Sequence, residues 1–353
     1  MKKISMVSLG LMAAMVVGLV FSNPAVSASA EVIKLKYSCP FQANELPTIY
    51  GMRICDLVEQ KTNGQVKIDR FLGGTLAKLP EHLQLVSSGS VDLATILPAL
   101  FLKQLPLTRI VQISQQTTGE VAMANTNALM FELPDAMAVL EKEHKKNNVK
   151  FLHCNTLGPI GILSRVPATC LNDLKGKKVN ASQAAQNKRF EALGMIPVGV
   201  QIPEFYEALS RGVIDLLYTN TSAYITLKLY EVGKSFLDTG LRSTGVPVIF
   251  NLNSWNRLPA DVKQKFLEAS RDTSLWSVTY DAQFVEKGYD IMRKAGVTVG
   301  ALPQADKDRN FEFKLQLEME EDWVNFAKQA GVGDDAQVLL KYWRQMAWGK
   351  FHK

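Results

Sequence analysis

Histidine and cysteine are scarce in this chain of 353 residues, four of each, and the scarcity removes whole classes of chemistry. The histidines (His82, His144, His153 and His352) form neither H-E-x-x-H nor any paired metal-ligand spacing. The cysteines (Cys39, Cys55, Cys154 and Cys170) contain no C-x-x-C. No G-x-S-x-G elbow offers a serine nucleophile, and no G-x-G-x-x-G follows a strand to cradle a dinucleotide. Gly233-Lys234-Ser235 looks like the end of a phosphate loop, but Lys228 stands where the leading glycine is required. Dispersed carboxylates are the one route left for an enzyme. The expectation is a protein without catalytic residues, metal or cofactor.

Other absences narrow the class further. The basic residues are scattered rather than grouped with aromatics on one stripe, so a pI near 9.0 does not point to nucleic acid. There is no low-complexity tract and no long Pro/Gly/Ser linker. Beyond the N-terminus no segment is long and apolar enough to span a bilayer. At the N-terminus, Lys2 and Lys3 precede an apolar run from Ile4 to Phe21, and small residues follow to Ala28-Ser29-Ala30. That is the pattern of a secretory signal, with cleavage expected near Ala30, although the run is long enough to raise an uncleaved anchor as the alternative. Removal of residues 1–30 takes two lysines and no acid, lowering the formal charge from +6 to +4. An exported chain with an even cysteine count permits disulfides, and the pairing stays open. Cys55 sits among Tyr50, Ile54, Leu57 and Val58 on an apolar helix face and fits a buried thiol.

What is present is an echo. Leu85-Val86-Ser87-Ser88-Gly89-Ser90-Val91-Asp92-Leu93 and Ala208-Leu209-Ser210-Arg211-Gly212-Val213-Ile214-Asp215-Leu216 each end an amphipathic helix, turn at a glycine and enter an apolar strand. Pro80 and Pro203 stand ahead of the two helices. Asp92 and Asp215, at the feet of buried strands, need hydrogen-bond donors, so they are expected to tie down neighbouring amides. Strand and helix patterns alternate along the chain: strands at 33–37, 66–68, 91–97, 149–154, 160–164 and 213–218, helices at 133–146, 184–193, 259–295 and 306–329. The pattern predicts an α/β fold with mainly parallel sheets. A mature length of about 320 residues exceeds what one core supports, which suggests two lobes with a cleft between them.

Several segments, in order, carry a resemblance. They are Val58 to Ile68, Gly74-Thr75-Leu76, Val86 to Asp92, Asn172-Asp173-Leu174-Lys175-Gly176-Lys177-Lys178-Val179, Ala192-Leu193-Gly194 with Pro197, Glu204 to Leu209, Tyr230-Glu231-Val232, and Trp255-Asn256-Arg257-Leu258-Pro259. Together they resemble the extracytoplasmic solute-binding proteins of TRAP (tripartite ATP-independent periplasmic) transporters. The resemblance implies a two-lobed periplasmic-binding-protein-like α/β fold with a hinge and a long helix spanning both lobes. Residues 31–157 with about 245–284 would form the first lobe, and 158–244 with about 285–353 the second. It also implies a periplasmic monomer that binds a small molecule and delivers it to integral-membrane permease subunits, without nucleic acid as a partner. A membrane sensor served by the same fold, or an exported enzyme using the same cleft, are the alternatives.

The departures from the family concern its carboxylate-binding arginines. The arginine that usually follows the Leu-Lys-Gly-x-Lys-Val strand is Asn180 here, and a second would fall near Ile160. The family's Gly-Val-Val-Asp-Gly-Gln-Glu-Asn-Pro reads Gly212-Val213-Ile214-Asp215-Leu216-Leu217-Tyr218-Thr219-Asn220. Open α/β sheets place their crevices at strand ends, so the expected ligand-facing residues are Tyr37, Cys39, Phe41, Thr95, Ile96 and Leu97 in the first lobe. In the second they are Asn180, Ser182, Ile202, Tyr218, Thr219 and Asn220. An asparagine in place of the arginine fork favours a larger, more apolar or aromatic ligand held by amide and hydroxyl hydrogen bonds. Arg165, Lys178 or a first-lobe cation supplying the missing charge is the competing expectation.

Overall fold

The protein is described by a computed structural model. It covers residues 31–348 apart from 114, 117, 118, 182 and 308–311, and only the backbone of 116, 119, 120, 155, 156, 243, 244, 312, 313, 347 and 348. The expected signal segment, 1–30, lies outside the described residues. β1 (Ile33–Ser38) sends Leu35 and Tyr37 into the core. α1 (Leu46–Lys61) carries Leu46, Tyr50, Ile54 and Val58 every four residues, and that spacing makes one fully buried stripe. Each such side chain removed from water contributes roughly 1.5–3 kcal/mol. β2 (Val66–Phe71), α2 (His82–Ser87) and β3 (Leu93–Thr95) follow. Then come β4 (Gln115–Gln116), α3 (Gly119–Phe131) and α4 (Pro134–Lys146).

β5 (Val149–Ser164) crosses into the second half, which repeats the plan. It holds β6 (Lys178–Asn180), α5 (Ala184–Ala192), β7 (Ile196–Val198), α6 (Phe205–Arg211), β8 (Leu216–Asn220) and α7 (Thr221–Thr226). β9 (Ser235–Asn251) returns to the first half. The chain closes with α8 (Leu252–Arg257), α9 (Ala260–Lys294), β10 (Thr298–Ala301), the one-turn α10 (Gln304–Asp306), α11 (Glu312–Gln329) and α12 (Gly333–Trp348).

The ten strands run β2-β1-β3-β9-β5-β8-β6-β7, with β4 and β10 on β9. The sheet is mixed rather than mainly parallel: β1, β2 and β3 are parallel, as are β6, β7 and β8, but β9 and β5 are antiparallel to each other and to their neighbours β3 and β8. Sequence patterning underestimates β9 because Gly240, Gly245 and Pro247 interrupt it. Its pairing with β5 runs from Val149↔Asn251 to Ser164↔Ser235, and three of its four register shifts fall between Asn155 and Gly161. β5 and β9 thus link the two halves of the sheet, and their pairing is least regular in that stretch.

The two echoed segments fold alike. Gly89 and Gly212 take left-handed φ values of 80° and 75°. Asp92 accepts the Lys36 N–H at 2.8 Å, and its own N–H donates to the Lys36 carbonyl at 3.0 Å. Asp215 does the same with Lys178, at 3.0 and 2.8 Å. Each acid thus joins its strand to the one beside it.

α9 spans both lobes, as its 35 residues allow at about 1.5 Å each. Lys61 at the end of α1 pairs with its Asp272 at 2.8 Å, and Tyr289 near its other end donates to Asp238 of β9 at 3.0 Å. α12 packs on α3 and α4 through buried Trp343 and Leu339. α12, in the 285–353 segment, thus contacts helices of the 31–157 segment. α11 touches both: Trp323 Nε1 donates to the Pro106 carbonyl at 2.8 Å, while Glu318 lies 3.7 Å from Arg189 of α5. All four cysteines are free thiols, and Cys55 is buried in the core, which pushes its thiol up to about 12.

Candidate functional site

The first-lobe residues expected to face a ligand are mostly interior. Tyr37, Cys39, Thr95 and Ile96 have no exposed surface. Tyr37 lies against α1 where Gly51 leaves room for its ring, and its hydroxyl shares a 2.7 Å hydrogen bond with Thr95 Oγ1. The Cys39 thiol is 3.2 Å from Thr48 Oγ1. These four side chains are interior, Tyr37 and Thr95 in β1 and β3 and Cys39 and Ile96 just past their ends. Phe41 and Leu97 are half-buried at the strand ends.

In the second lobe, Asn180 is committed to the backbone. Its Oδ1 accepts the Tyr218 N–H at 2.5 Å and its Nδ2 donates to the Tyr218 carbonyl at 3.2 Å. The Tyr218 ring is buried and meets Phe190 edge-on at 5.3 Å. Thr219 donates its N–H to Tyr224 Oη at 3.1 Å, and Asn220 caps α7 by accepting the Ala223 N–H at 3.0 Å. Ile202 is 51% exposed on a short turn, and Ser182 lies outside the described residues. Arg165 and Lys178, two of the cations expected to supply the missing charge, both have partners within the second half. Arg165 sits 3.9 Å from Asp215, and Lys178 donates to the Gly212 carbonyl at 2.7 Å, at the foot of β8 rather than its cleft end. Ile160, where a second arginine would fall, is buried in the core.

A half-open cavity of about 600 Å³ takes its walls from both halves of the chain, a size suited to a small organic molecule. Leu100, Arg109 and Gln112 line it from the first lobe, Gln183 and Gln201 from the second, and Asp322 and Phe326 from α11. None of the residues expected to face the ligand is among its described lining residues, although Gln201 is the sequence neighbour of Ile202. A hollow of about 710 Å³ lies elsewhere, between α3 and α9. Its walls come from the first lobe and α9, so closure of the lobes would not enclose a ligand there.

Arg109 dominates the chemistry of the cavity. It sits on a turn at Thr108–Gln112 that is pinned from below: buried Glu143 accepts the Leu107 and Thr108 N–H groups at 2.7 and 2.9 Å and the Thr108 hydroxyl at 2.5 Å. Burial, opposed by the charge of Asp322, lowers the pKa of the guanidinium, which lies 5.0 Å from the centre of the Phe326 ring. Little in the sequence marks Arg109, because it falls in an irregular stretch between Pro106 and β4. The one available signal was a lone cation inside the apolar run Leu107 to Val111. The α11 wall left no signal, since an amphipathic helix does not reveal what it faces.

Comparisons with known proteins agree with this architecture. A profile of the bacterial extracellular solute-binding protein family 7 (DctP) matches residues 48–329. A solute-binding protein of Sulfitobacter sp. (strain NAS-14.1) is 27% identical over 227 residues, 63% of this chain and 66% of that one. The C4-dicarboxylate-binding periplasmic protein DctP of Rhodobacter capsulatus is 26% identical over 282 residues, covering 77% and 81%. Among solved structures, a TRAP periplasmic solute-binding protein of Desulfovibrio salexigens superposes with TM-score 0.75 at 26% identity, over 91% of this chain and 97% of that one. A Bordetella pertussis extracytoplasmic solute receptor that binds pyroglutamic acid gives 0.70 at 23%, over 89% and 100%. The order of elements, the two lobes joined through β5 and β9, and the length of the match make one conclusion: the chain belongs to the bacterial extracellular solute-binding protein family 7, the family of TRAP transporter receptors.

Proposed function

We propose that the protein binds one small organic solute in the cavity between its lobes, in the periplasm, and delivers it to a TRAP-type permease in the membrane. The observation that carries this reading is that the cavity takes its walls from both lobes and α11, while the strands joining the lobes lose regular pairing between them. A receptor needs that combination, because closure can then bury most of a ligand. The family's relatives are named as solute-binding proteins rather than enzymes.

The ligand is proposed to be bulkier and more apolar than the C4-dicarboxylates in the name of the R. capsulatus relative. Asn180 cannot fork onto a carboxylate, and its hydrogen bonds to Tyr218 also remove it as the amide anchor expected from sequence. Phe326 and the carboxamides of Gln112, Gln183 and Gln201 take over that role in the cavity wall. Thermal-shift screening of a metabolite panel tests the proposal, since a ligand stabilises the folded state by mass action. The expected result is a shift by an apolar or aromatic solute. Shifts confined to C4-dicarboxylates and sugar acids would contradict the ligand assignment, and chemical turnover of a bound solute would contradict the receptor reading itself.

A further inference from the structure

The cavity holds an opposed pair of charges that neither the family resemblance nor the expected site accounts for. Arg109 and Asp322 are the charged side chains among its described lining residues. They interact electrostatically, yet neither joins an ion pair within 4.0 Å among the described residues. Each is therefore left with capacity for a partner. The Arg109 guanidinium lies 5.0 Å from the centre of the Phe326 ring, within cation–π reach, and a guanidinium can fork onto a carboxylate through its N–H groups. One turn on, Gln112 has a buried Oε1 without any hydrogen-bond donor. An unsatisfied buried acceptor is costly, and it marks the turn that carries Arg109 as incompletely satisfied in this state. Other cations near the crossing are engaged: Arg242 lies 3.3 Å from Asp238, and Arg165 and Lys178 serve the foot of β8.

A cation, an anion and an apolar wall of Leu100 and Phe326 call for a ligand with the complementary set. We infer that the cavity receives an amphoteric solute, a carboxylate and a protonated amine on an aromatic or large aliphatic body, with Arg109 holding the carboxylate and Asp322 the ammonium group. The inference rests on the receptor reading and specifies its ligand. It also explains how a cleft without the family's arginine fork accommodates a carboxylate: the neighbouring ammonium cancels the charge, so one half-buried guanidinium suffices. A dicarboxylate would bring two negative charges to a wall of no net charge, one of them near Asp322.

The test is calorimetric titration of the mature protein, ligand-free after unfolding and refolding, with L-phenylalanine, L-tryptophan and L-leucine. The controls are 3-phenylpropionate, phenethylamine and succinate. The inference expects at least one amino acid to bind at least tenfold more tightly than every single-charge analogue and than succinate. Arg109→Gln should weaken the amino acid at least tenfold while leaving phenethylamine unchanged. Asp322→Asn should weaken the amino acid and leave 3-phenylpropionate unchanged or tighter. Unfolding curves of both variants confirm that each is folded. Absence of binding by all three amino acids, equal binding of 3-phenylpropionate, or indifference to both substitutions would overturn it. Tight binding of another solute in those cases would still sustain the receptor reading, which fails separately if bound solute is converted.

Discussion

Asn180 stands in for a strand neighbour of Tyr218, accepting its N–H at 2.5 Å and donating to its carbonyl at 3.2 Å. The backbone ladder between β6 and β8 reaches only the pair Val179↔Leu216, and the asparagine amide continues it to the edge of the cleft. Asn180→Ala leaves both Tyr218 groups without this partner and should destabilise the fold by about 1–3 kcal/mol. Asn180→Arg should destabilise as well, because a guanidinium has no acceptor for the Tyr218 N–H. Urea midpoints that fall at an unchanged slope check both.

Gly51 governs how closely α1 approaches the sheet. A Cβ there would come within 1.8 Å of the Tyr37 hydroxyl oxygen, and Tyr37 is fixed by its bond to Thr95. Gly51→Ala should cost about 1–3 kcal/mol through overpacking. Adding Tyr37→Phe, which removes the nearest atom, should recover part of the loss in the same denaturation assay.

The paired acids at the feet of β3 and β8 offer a test of the internal repeat. Asp92→Ala and Asp215→Ala each remove a carboxylate that accepts one strand N–H, and each should cost about 1.5–3 kcal/mol. They lie in different lobes and share no partner, so the double variant should show the sum within about 0.5 kcal/mol. A large coupling in the double-mutant cycle would mean that the two units do not stand independently.

Beneath the Arg109 turn, Glu143 and His144 set opposite pH dependences. Burial lowers His144 to about 3, with the charge of Lys150 adding to the effect, so its stabilising neutral form is fully present above the ordinary histidine value and is lost as pH falls. Burial raises Glu143 to about 6 despite its hydrogen bonds from Leu107 and Thr108. The folded state then holds an extra proton between the ordinary carboxylate value and about 6, and stability declines as pH rises through that window. The two slopes, each up to about 1.4 kcal/mol per pH unit, largely cancel there. His144→Phe keeps an aromatic ring facing Phe151 and should expose the Glu143 slope, with stability decreasing between about pH 4.5 and 6. Thermal unfolding across that range, on both proteins, reads the difference.

Much of the fold could be read from the chain, because periodicity is a property of the chain itself. The four-residue spacing in α1, the repeated Gly-x-x-Asp junctions and the long helix after Pro259 all emerged where the pattern placed them. β9 did not, since glycines and a proline at the lobe crossing hide a strand whose continuity comes from pairing with β5. The site was less legible still. Strand ends identify the edge of a cleft, but whether a side chain there faces the cleft or the core depends on helices packed across it, as Tyr37 beneath Gly51 shows. Arg109 becomes visible only when α11, more than two hundred residues later in the chain, closes over it.

Closure on a ligand is the claim on which the account depends, and small-angle X-ray scattering with and without saturating ligand tests it most directly. The lobes should approach each other about the crossings at 155–158 and 241–246, the first of which lies where β5 and β9 lose register. The account predicts a smaller radius of gyration when the cavity is occupied. An unchanged scattering profile at calorimetrically proven saturation would contradict it.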